Sequence, residues 1–562
     1  MQHLRSFGRV SFLALSVLSA CAMADPSARA GTGVAPPATG VFGHYLAGEF
    51  AFSQSEPGIA ADAFLKALAA SPHDHTLLQQ AFLASAMSGR PQAVELARQL
   101  PDNQVAQLVL GDHEALLGHW QAAEQRFRSL PNQGLTQLLR PLLVAWSQQG
   151  AGNTQQALAT LRPLVTGPRF QGIFALHAAM IADLGGNMQQ AAQLYRVAQD
   201  ASPDTNLRLA QILASWQRRS GNPDEARGTL SELGNDAPEL SIAVPGLIGM
   251  DQQRPVRNAA EGIAEAYVAL AGALRGQNAG NFATLMVRFA LDMRPDFTAA
   301  RLVGSALLAT DQQNAAALRI LVPVADSDPL APLVQLRRAA LNERLGHADM
   351  AMQSLERLAR QHPHNPLPLI MEGDIQRTQK HYQEAVTAYT RAIAEIGRPS
   401  ERDWGVFYSR GIAFDQMHDW PKAQADFEQS LHLSPDQPSV LNYLGYSWAD
   451  ANRNLGQARA MIEKAIQRRP NDGAITDSLG WVMLRQGEVA TAVNTLQRAV
   501  ELEPEDATIN GHLGDAYWAA GRKLEAEYQW RRALTLNPTP DDAAKLEAKL
   551  QLPSKAAMIS GQ

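Results

Sequence analysis

The chain has 562 residues, of which 46% are hydrophobic, 19% charged and 6% aromatic, and its formal net charge is −6. This length exceeds what one compact core accommodates, and the composition excludes an intrinsically disordered chain. Helix-forming residues dominate and no block of Lys and Arg is present. These features argue against a β-sheet protein and against a nucleic-acid partner.

The segment 1–20 has the form of a secretory signal peptide. Arg5 and Arg9 precede the apolar stretch VSFLALSVLSA at 10–20, which is too short for a permanent membrane-spanning helix. No later segment has about 18 uninterrupted apolar residues. We therefore expect the segment 1–20 to direct export and then to be removed.

Two cleavage sites follow this apolar stretch. LSAC at 18–21, which holds the only cysteine of the chain, resembles the lipobox of bacterial lipoproteins and implies lipid attachment to Cys21. The alternative is an A-x-A site, AMA at 22–24. The first site predicts an outer-membrane lipoprotein that faces the periplasm, with residues 21–42 as a flexible Ala, Gly and Pro-rich tether. The second site predicts a soluble periplasmic protein.

The remaining chain repeats one pattern, most clearly in its C-terminal third. Leu-Gly pairs recur 34 or 35 residues apart, at Gly445, Gly480 and Gly514. Small alanines and a large apolar residue follow each pair, and a proline ends the unit, where it stops a second helix. These later positions are Ala458, Ile462, Ala465 and Pro470, then Ala492, Leu496, Ala499 and Pro504, then Ala526, Trp530, Ala533 and Pro538. The spacing resembles the tetratricopeptide repeat, a helical hairpin that is stable only when stacked on its neighbours.

Weaker copies of the unit extend toward the N-terminus. They are marked by a small residue at Gly48, Ala81, Gly111, Ala145, Ala179, Ala214, Ala271, Gly304, Ala339, Gly373 and Gly411. The whole series predicts an all-α solenoid, a right-handed superhelix of about fourteen helix-turn-helix repeats.

The phase of the repeats slips between Ala214 and Ala271, and again between Gly373 and Gly411. We therefore divide the array into segments. The prediction is degenerate repeats at 43–233, an irregular linker at 234–258, middle repeats at 259–397, well-matched repeats at 398–538, and a capping helix with a tail at 539–562.

No enzyme motif is found along the chain. It has no HExxH helix, P-loop or G-x-S-x-G elbow, and the repeats leave no stretch for a separate catalytic domain. HDH at 73–75 and HPH at 362–364 offer at most two histidines each, so we interpret them as solvated turns rather than metal ligands. The sequence predicts a non-enzymatic protein without a cofactor or a metal.

A partner would contact the inner face of the first helices. We define the groove stripe as the positions six and three before the repeat Gly or Ala, and one, four and five after it. In tetratricopeptide arrays this stripe lines the concave groove, where aromatic and polar side chains suit a peptide or partner helix. In the C-terminal repeats the predicted contact residues are Tyr408, Asp415, Asn442, Tyr446, Asp450, Asp477, Trp481, Arg485, Asp515 and Trp518.

Residues 439–538 carry a more particular resemblance. LGYSWAD, DSLGWV and HLGDAYW are similar to the C-terminal repeats of long tetratricopeptide lipoproteins of Gram-negative envelopes. Members of that family include outer-membrane adaptors that bind a periplasmic carboxyl-terminal processing protease and help deliver cell-wall hydrolases to it. The resemblance implies a scaffold tethered at Cys21 that binds protein or peptide partners.

Two other functions fit a repeat array. One is a component of polysaccharide export or outer-membrane assembly, where such arrays bridge larger machines. The other is a repeat domain that serves a glycosyltransferase. It is disfavoured because such enzymes need a sugar-nucleotide domain, for which the repeats leave no room.

Overall fold

The computed structural model describes residues 40–134, 136–167, 170–202, 206–250, 252–274 and 280–551. Over these ranges the chain is helical, with thirty α-helices, two short 3-10 helices and no strand. None of these helices is both long enough and apolar enough to cross a membrane. Cys21 and the predicted leader lie outside the described residues. The predicted all-α fold is confirmed.

Twelve helices come first, and ten of them form five hairpins. The hairpins are α1 (Val41–Ser53) with α2 (Pro57–Ala70), α5 (Gln104–Leu116) with α6 (Trp120–Arg128), α7 (Thr136–Gly150) with α8 (Thr154–Val165), α9 (Gln171–Leu184) with α10 (Met188–Asp200), and α11 (Leu207–Arg219) with α12 (Pro223–Asp236). The helices α3 (His75–Ser88) and α4 (Gln92–Ala97) lie between the first and second of these hairpins in the chain. Two short helices follow, η1 (Pro238–Ala243) and α13 (Val244–Met250).

Eight further hairpins complete the array. They are α14 (Ala259–Ala273) with α15 (Gly280–Met293), α16 (Thr298–Thr310) with α17 (Asn314–Arg319), α18 (Ala331–Arg344) with α19 (Ala348–Gln361), α20 (Leu367–Thr378) with α21 (Tyr382–Ile396), α22 (Trp404–Gln416) with α23 (Trp420–Leu433), α24 (Pro438–Asp450) with α25 (Leu455–Arg468), α26 (Gly473–Arg485) with α27 (Val489–Leu502), and α28 (Ala507–Ala519) with α29 (Lys523–Thr535). A 3-10 turn, η2 (Glu401–Asp403), precedes α22, and a last helix, α30 (Pro540–Leu550), follows α29. The described residues therefore contain thirteen hairpins together with α3 and α4, which follows the predicted series of about fourteen repeats.

The chain divides into two compact units, residues 1–84 and residues 85–562. In the described part of the first unit, α1 and α2 form a hairpin around Phe64, which is fully buried. The second unit holds the long series of stacked hairpins. The division falls within α3.

One close approach recurs inside the hairpins. The repeat Gly of the first helix faces a large side chain on the second helix. An ideal Cβ on these glycines would lie 2.3 to 2.8 Å from that side chain, so no larger residue fits without displacement. The pairs are Gly48–Phe64, Gly111–Phe127, Gly304–Ile320, Gly373–Tyr389, Gly411–Phe427, Gly445–Ile462, Gly480–Leu496 and Gly514–Trp530.

The segment 234–258, which the sequence analysis predicts as an irregular linker, holds short helical elements. It contains the end of α12, then η1 and α13, which are too short to show a helical stripe in the sequence. Three polar contacts join it to distant repeats. Glu239 pairs with Arg337 at 2.6 Å, Ser241 accepts from Asn365 at 3.0 Å, and Asn235 accepts from Arg402 at 2.8 Å. The segment is a bridge within the second unit.

After this bridge the chain turns back onto earlier repeats. The helix α14 packs against α7 and α9, and α15 packs against α5. An ideal Cβ on Gly262 would lie 2.2 Å from the Trp146 ring, so glycine permits the crossing. Tyr267 donates a buried hydrogen bond to Asp112, 155 residues away, at 2.9 Å. Repeat periodicity does not predict this return.

The stacking constraint inside one hairpin is testable at Gly480. A Cβ there would lie 2.5 Å from Leu496 Cγ and 3.3 Å from the Leu496 backbone nitrogen. We expect Gly480→Ala to lower the free energy of unfolding by about 1–3 kcal/mol, as overpacking does. Urea denaturation followed by circular dichroism measures the change.

Gly456 provides the matched control, because it lies in α25 with nothing within 4 Å of its ideal Cβ. Gly456→Ala should be neutral or stabilising by up to about 1 kcal/mol. Leu496→Ala added to Gly480→Ala should cost less than the sum of the two single changes. Equal effects of the two Gly→Ala changes would contradict the constraint.

Candidate functional site

The groove stripe of the N-terminal repeats is occupied by the chain itself. Five stripe residues contact the segment 253–267, which we call the return segment. Their contacts are Asp112 with Tyr267, Trp146 with Gly262, Asp183 with Arg254, Arg208 with Glu265, and Ser215 with the carbonyl of Gln253. The offset rule derived from the repeat therefore marks a contact face in these repeats.

Burial adjusts the protonation of two groups at this self-contact. Burial raises the pKa of Asp112 well above its usual range, and the hydrogen bond from Tyr267 only partly offsets this. Burial also lowers the pKa of His177 to about 3. The neutral imidazole then accepts, through Nδ1, the hydrogen bond that Trp146 Nε1 donates at 2.9 Å. Burial thus favours the neutral forms of Asp112 and His177 at this self-contact.

The final helix covers the stripe of the last repeat. Leu546 of α30 is buried, and its Cδ2 would lie 3.5 Å from a Cβ on Gly511. Asp515 accepts from Lys549 Nζ at 2.7 Å and from Trp530 Nε1 at 3.0 Å. The Trp518 ring lies 5.5 Å from that of Trp530. Two of the predicted groove residues, Asp515 and Trp518, therefore belong to the packing at this end.

Four other predicted residues meet around His512, which sequence analysis missed. His512 Nδ1 lies 2.8 Å from Asp477 Oδ2, and both residues are buried. The Trp481 ring stacks on the imidazole with centroids 4.2 Å apart and an interplanar angle of 20°. The Tyr446 ring is 6.1 Å away, and the Arg485 guanidinium lies 5.7 Å from the Trp481 ring. We call these five residues the His512 cluster.

Opposing effects act on the charge of His512. Burial lowers its pKa, but the negative charge of Asp477 and the hydrogen bond to it raise the pKa, and Asp515 adds to this. Lys549 opposes the rise, and the net pKa is above the usual value. An imidazolium against the face of Trp481 gains further from the ring quadrupole. The cluster therefore fixes the orientation of Trp481.

A second group lies one repeat earlier. Tyr443 donates to Asp415 Oδ2 at 2.8 Å, and its ring meets that of Tyr408 edge-on at 6.0 Å. Burial raises the pKa of both tyrosines, so their phenols are neutral donors. Tyr408 also packs near Phe427, the large residue that faces Gly411. Tyr408 and Asp415 are thus brought together by Tyr443, which the offset rule did not select.

The stripe between these groups keeps unsatisfied polar atoms. Asn442 Oδ1 and Trp481 Nε1 are buried and have no hydrogen-bond partner among the described residues. Asp450 and Arg485 are exposed, and Arg485 Nη2 donates to the Asp450 carbonyl at 3.2 Å. The two exposed charges and the half-buried rings of Tyr446 and Trp481 are the groups that a polypeptide can contact on this stripe.

The histidine pairs of HDH at 73–75 and HPH at 362–364 lie next to a helix cap and in a cleft, respectively. Asp74 accepts hydrogen bonds from the backbone of Thr76 and Leu77 and so caps α3. His362 and His364 line a cleft of about 720 Å³ between the bridge and α19–α22. Within the described residues, no group of three or more His, Cys, Asp or Glu side chains could hold a metal ion.

Comparison with known proteins follows the repeat pattern. Family models described as tetratricopeptide repeat match residues 143–205, 408–473 and 478–543, and a second such model matches 333–365. The TPR repeat-containing protein PA4667 of Pseudomonas aeruginosa is 31% identical over 193 residues, which are 34% of this chain and 32% of that protein. The match thus spans about a third of the length of this relative.

Solved structures with a similar arrangement include the Cut9–Hcn1 heterotetramer of the APC/C, with 14% identity over 90% of this chain and 96% of that chain, and a TM-score of 0.39. Yeast Tom70 is 12% identical over 92% of this chain and 96% of its own, with a TM-score of 0.34. The family-model matches show that this chain contains tetratricopeptide repeats at 143–205, 333–365, 408–473 and 478–543.

Proposed function

We propose that this chain is a non-catalytic adaptor of the bacterial envelope, tethered through lipid on Cys21, which binds a protein partner along α22, α24 and α26. The coarse part of this proposal follows from the repeats, since tetratricopeptide arrays are protein-interaction scaffolds. The location in the envelope, the lipid tether and the identity of the partner do not follow from the repeats and are part of the proposal.

The observation that carries the proposal is the unequal covering of the groove stripe. The return segment lies on the stripe of the N-terminal repeats, and α30 lies on that of the last repeat. Over α22, α24 and α26, the main packing partners among the described residues are the helices of neighbouring repeats. A partner from outside the chain can therefore use there the face that the chain uses elsewhere.

The side chains on this face favour an extended peptide. The half-buried rings of Tyr446 and Trp481 provide apolar area at low entropy cost. Asp450 and Arg485 then select opposite charges along the peptide and fix its register.

The resemblance of residues 439–538 to envelope adaptors identifies candidate partners. They are a periplasmic carboxyl-terminal processing protease and the cell-wall hydrolases that it degrades. A scaffold accelerates such an encounter by raising the local concentration of one partner near the other, without making or breaking a bond itself. A tether through Cys21 would confine this effect to the membrane surface.

Partner binding is tested with a photo-crosslinking residue at exposed position 450, followed by mass spectrometry of the captured protein. The affinity of the purified partner is then measured for the wild type and for Asp450→Lys with Arg485→Glu. We expect this variant to bind the partner roughly tenfold more weakly, or weaker still, because both charges that face the peptide are reversed.

The control is Arg498→Glu, an exposed charge reversal on α27, away from the stripe. It should leave the affinity unchanged. The groove would not be the binding site if a crosslinker at position 498 captured the partner as well as one at position 450. The same conclusion would follow if the groove variant and Arg498→Glu bound the partner with equal affinity.

The His512 cluster makes a pH-dependent prediction. Because the pKa of His512 is raised in the folded chain, its contribution to stability is fully present below the unfolded pKa of about 6.5 and is lost as pH rises through the folded value. The wild type should therefore exceed His512→Gln in free energy of unfolding more at about pH 5.5 than at about pH 8.5. Urea denaturation at the two pH values measures the difference.

Asp477→Asn is the companion variant, because it removes the charge that raises the pKa of His512. In that background the stability cost of His512→Gln should lose its pH dependence or reverse it, since burial alone lowers the pKa. A pH-independent cost of His512→Gln in the wild-type background would contradict the ion pair.

The tether is tested by metabolic labelling with a fatty-acid analogue and by cell fractionation. The wild type should carry the label and sediment with membranes, whereas Cys21→Ser should be unlabelled and released. An unlabelled wild-type chain that begins at Asp25 would support the alternative cleavage after Ala24 and would remove the tether.

A further inference from the structure

The first hairpin exposes an unusual apolar face. Phe42, Leu46 and Phe50 of α1 are 74%, 52% and 69% exposed, and Ile59 of α2 is 60% exposed. The three residues of α1 are spaced at i, i+4 and i+8, so they lie along one side of the helix. We call Phe42, Leu46, Phe50 and Ile59 the α1 face.

The opposite side of α1 is already used. Gly48 and Ala51 are buried, and Gly48 faces Phe64 inside the hairpin. The α1 face is therefore additional to the packing of the repeat. Terminal repeats of a solenoid ordinarily present a polar outer surface. Two exposed phenylalanines on one helix side call for an external partner.

The α1 face is too small in area to form a stable interface with a second copy of the chain. Four such side chains present on the order of 500 Å², whereas a stable protein interface buries about 800 Å² on each partner. A bilayer has no such minimum, because each apolar side chain enters the acyl boundary independently. Phenylalanine and leucine are the residues that interfacial helices use on their apolar side.

The chain also connects this face to the lipid site. Gly40 follows Cys21 by 19 residues, which span at most about 65 Å when fully extended. A lipid on Cys21 would thus keep the bilayer at a high effective concentration around α1, so that weak insertion would suffice.

We infer that the α1 face inserts into the interfacial region of the membrane to which Cys21 is tethered, so that α1 lies on the bilayer as a second contact. This inference rests on the proposed envelope tether for its location. The first hairpin then acts as a membrane-binding element and not only as a repeat.

The test uses the mature chain from residue 21 with Cys21→Ser, which carries neither leader nor lipid. Because Cys21 is the only cysteine, Leu46→Cys then gives a single position for an environment-sensitive dye. Vesicles of phosphatidylethanolamine and phosphatidylglycerol are added. We expect a blue shift of the dye emission and co-flotation of the chain with the vesicles.

Phe42→Ser with Phe50→Ser in the same background should weaken vesicle binding roughly tenfold or more. The matched control is Leu524→Ser with Tyr528→Ser on α29, whose side chains are 79% and 69% exposed. This control should bind vesicles as the parent does. Circular dichroism confirms that both variants remain helical.

Each other occupant of the α1 face gives a distinct result. Concentration-dependent dimerisation that Phe42→Ser with Phe50→Ser abolishes would assign the face to a second copy and overturn the inference. A dye emission already blue-shifted in buffer and insensitive to vesicles would mean that the chain covers the face itself. Vesicle binding equal in both serine variants would also overturn it. Fatty-acid labelling of Cys21 is measured separately, so loss of the tether and loss of the α1 contact are distinguishable.

Discussion

The structure depends on one steric requirement, the close approach of the two helices in each hairpin. A Gly or Ala on the first helix lets a large side chain of the second helix pack directly against its backbone. This contact sets the crossing of the two helices and buries Phe64, Phe427 and Trp530 completely or nearly so. It also fixes which side of each first helix turns away from its partner, and that side is the groove stripe.

Every repeat has its own groove stripe. What covers a stripe therefore depends on which other segment of the chain packs against that repeat. In the N-terminal repeats the return segment supplies that occupant, and Gly262 allows α14 to approach Trp146. The polar contacts there are specific pairs, such as Arg219 and Arg254 with Asp183. Removing one member of such a buried pair leaves a charge without compensation. The register of α14 is thus specified by charge as well as by shape.

The repeat pattern in the sequence predicted the local hairpins. It did not predict the contacts between residues that lie far apart in the chain. The series of helical hairpins and their stripe follow from the tetratricopeptide period alone. The contact between Asp112 and Tyr267 joins residues 155 positions apart, and no periodic signal encodes that match. The stripe rule does select Asp112 and Trp146, at the same offset as Trp481, but it cannot say that the chain covers them. His512 was missed because it lies outside the stripe, just before the Leu-Gly pair of its repeat.

The polarity of the stripe differs between its covered and uncovered parts, and this difference bears on function. Trp146 is fully buried under α14, and its indole N–H is satisfied by a neutral His177. Trp481, at the same offset, is only partly buried, leaves Nε1 unpaired among the described residues and lies beside a charged Arg485. An aromatic stripe without cover must carry such charges to remain hydrated. A partner that arrives there can exclude water from the ring and pair with Arg485, which gives binding energy that the covered repeats have already used in folding.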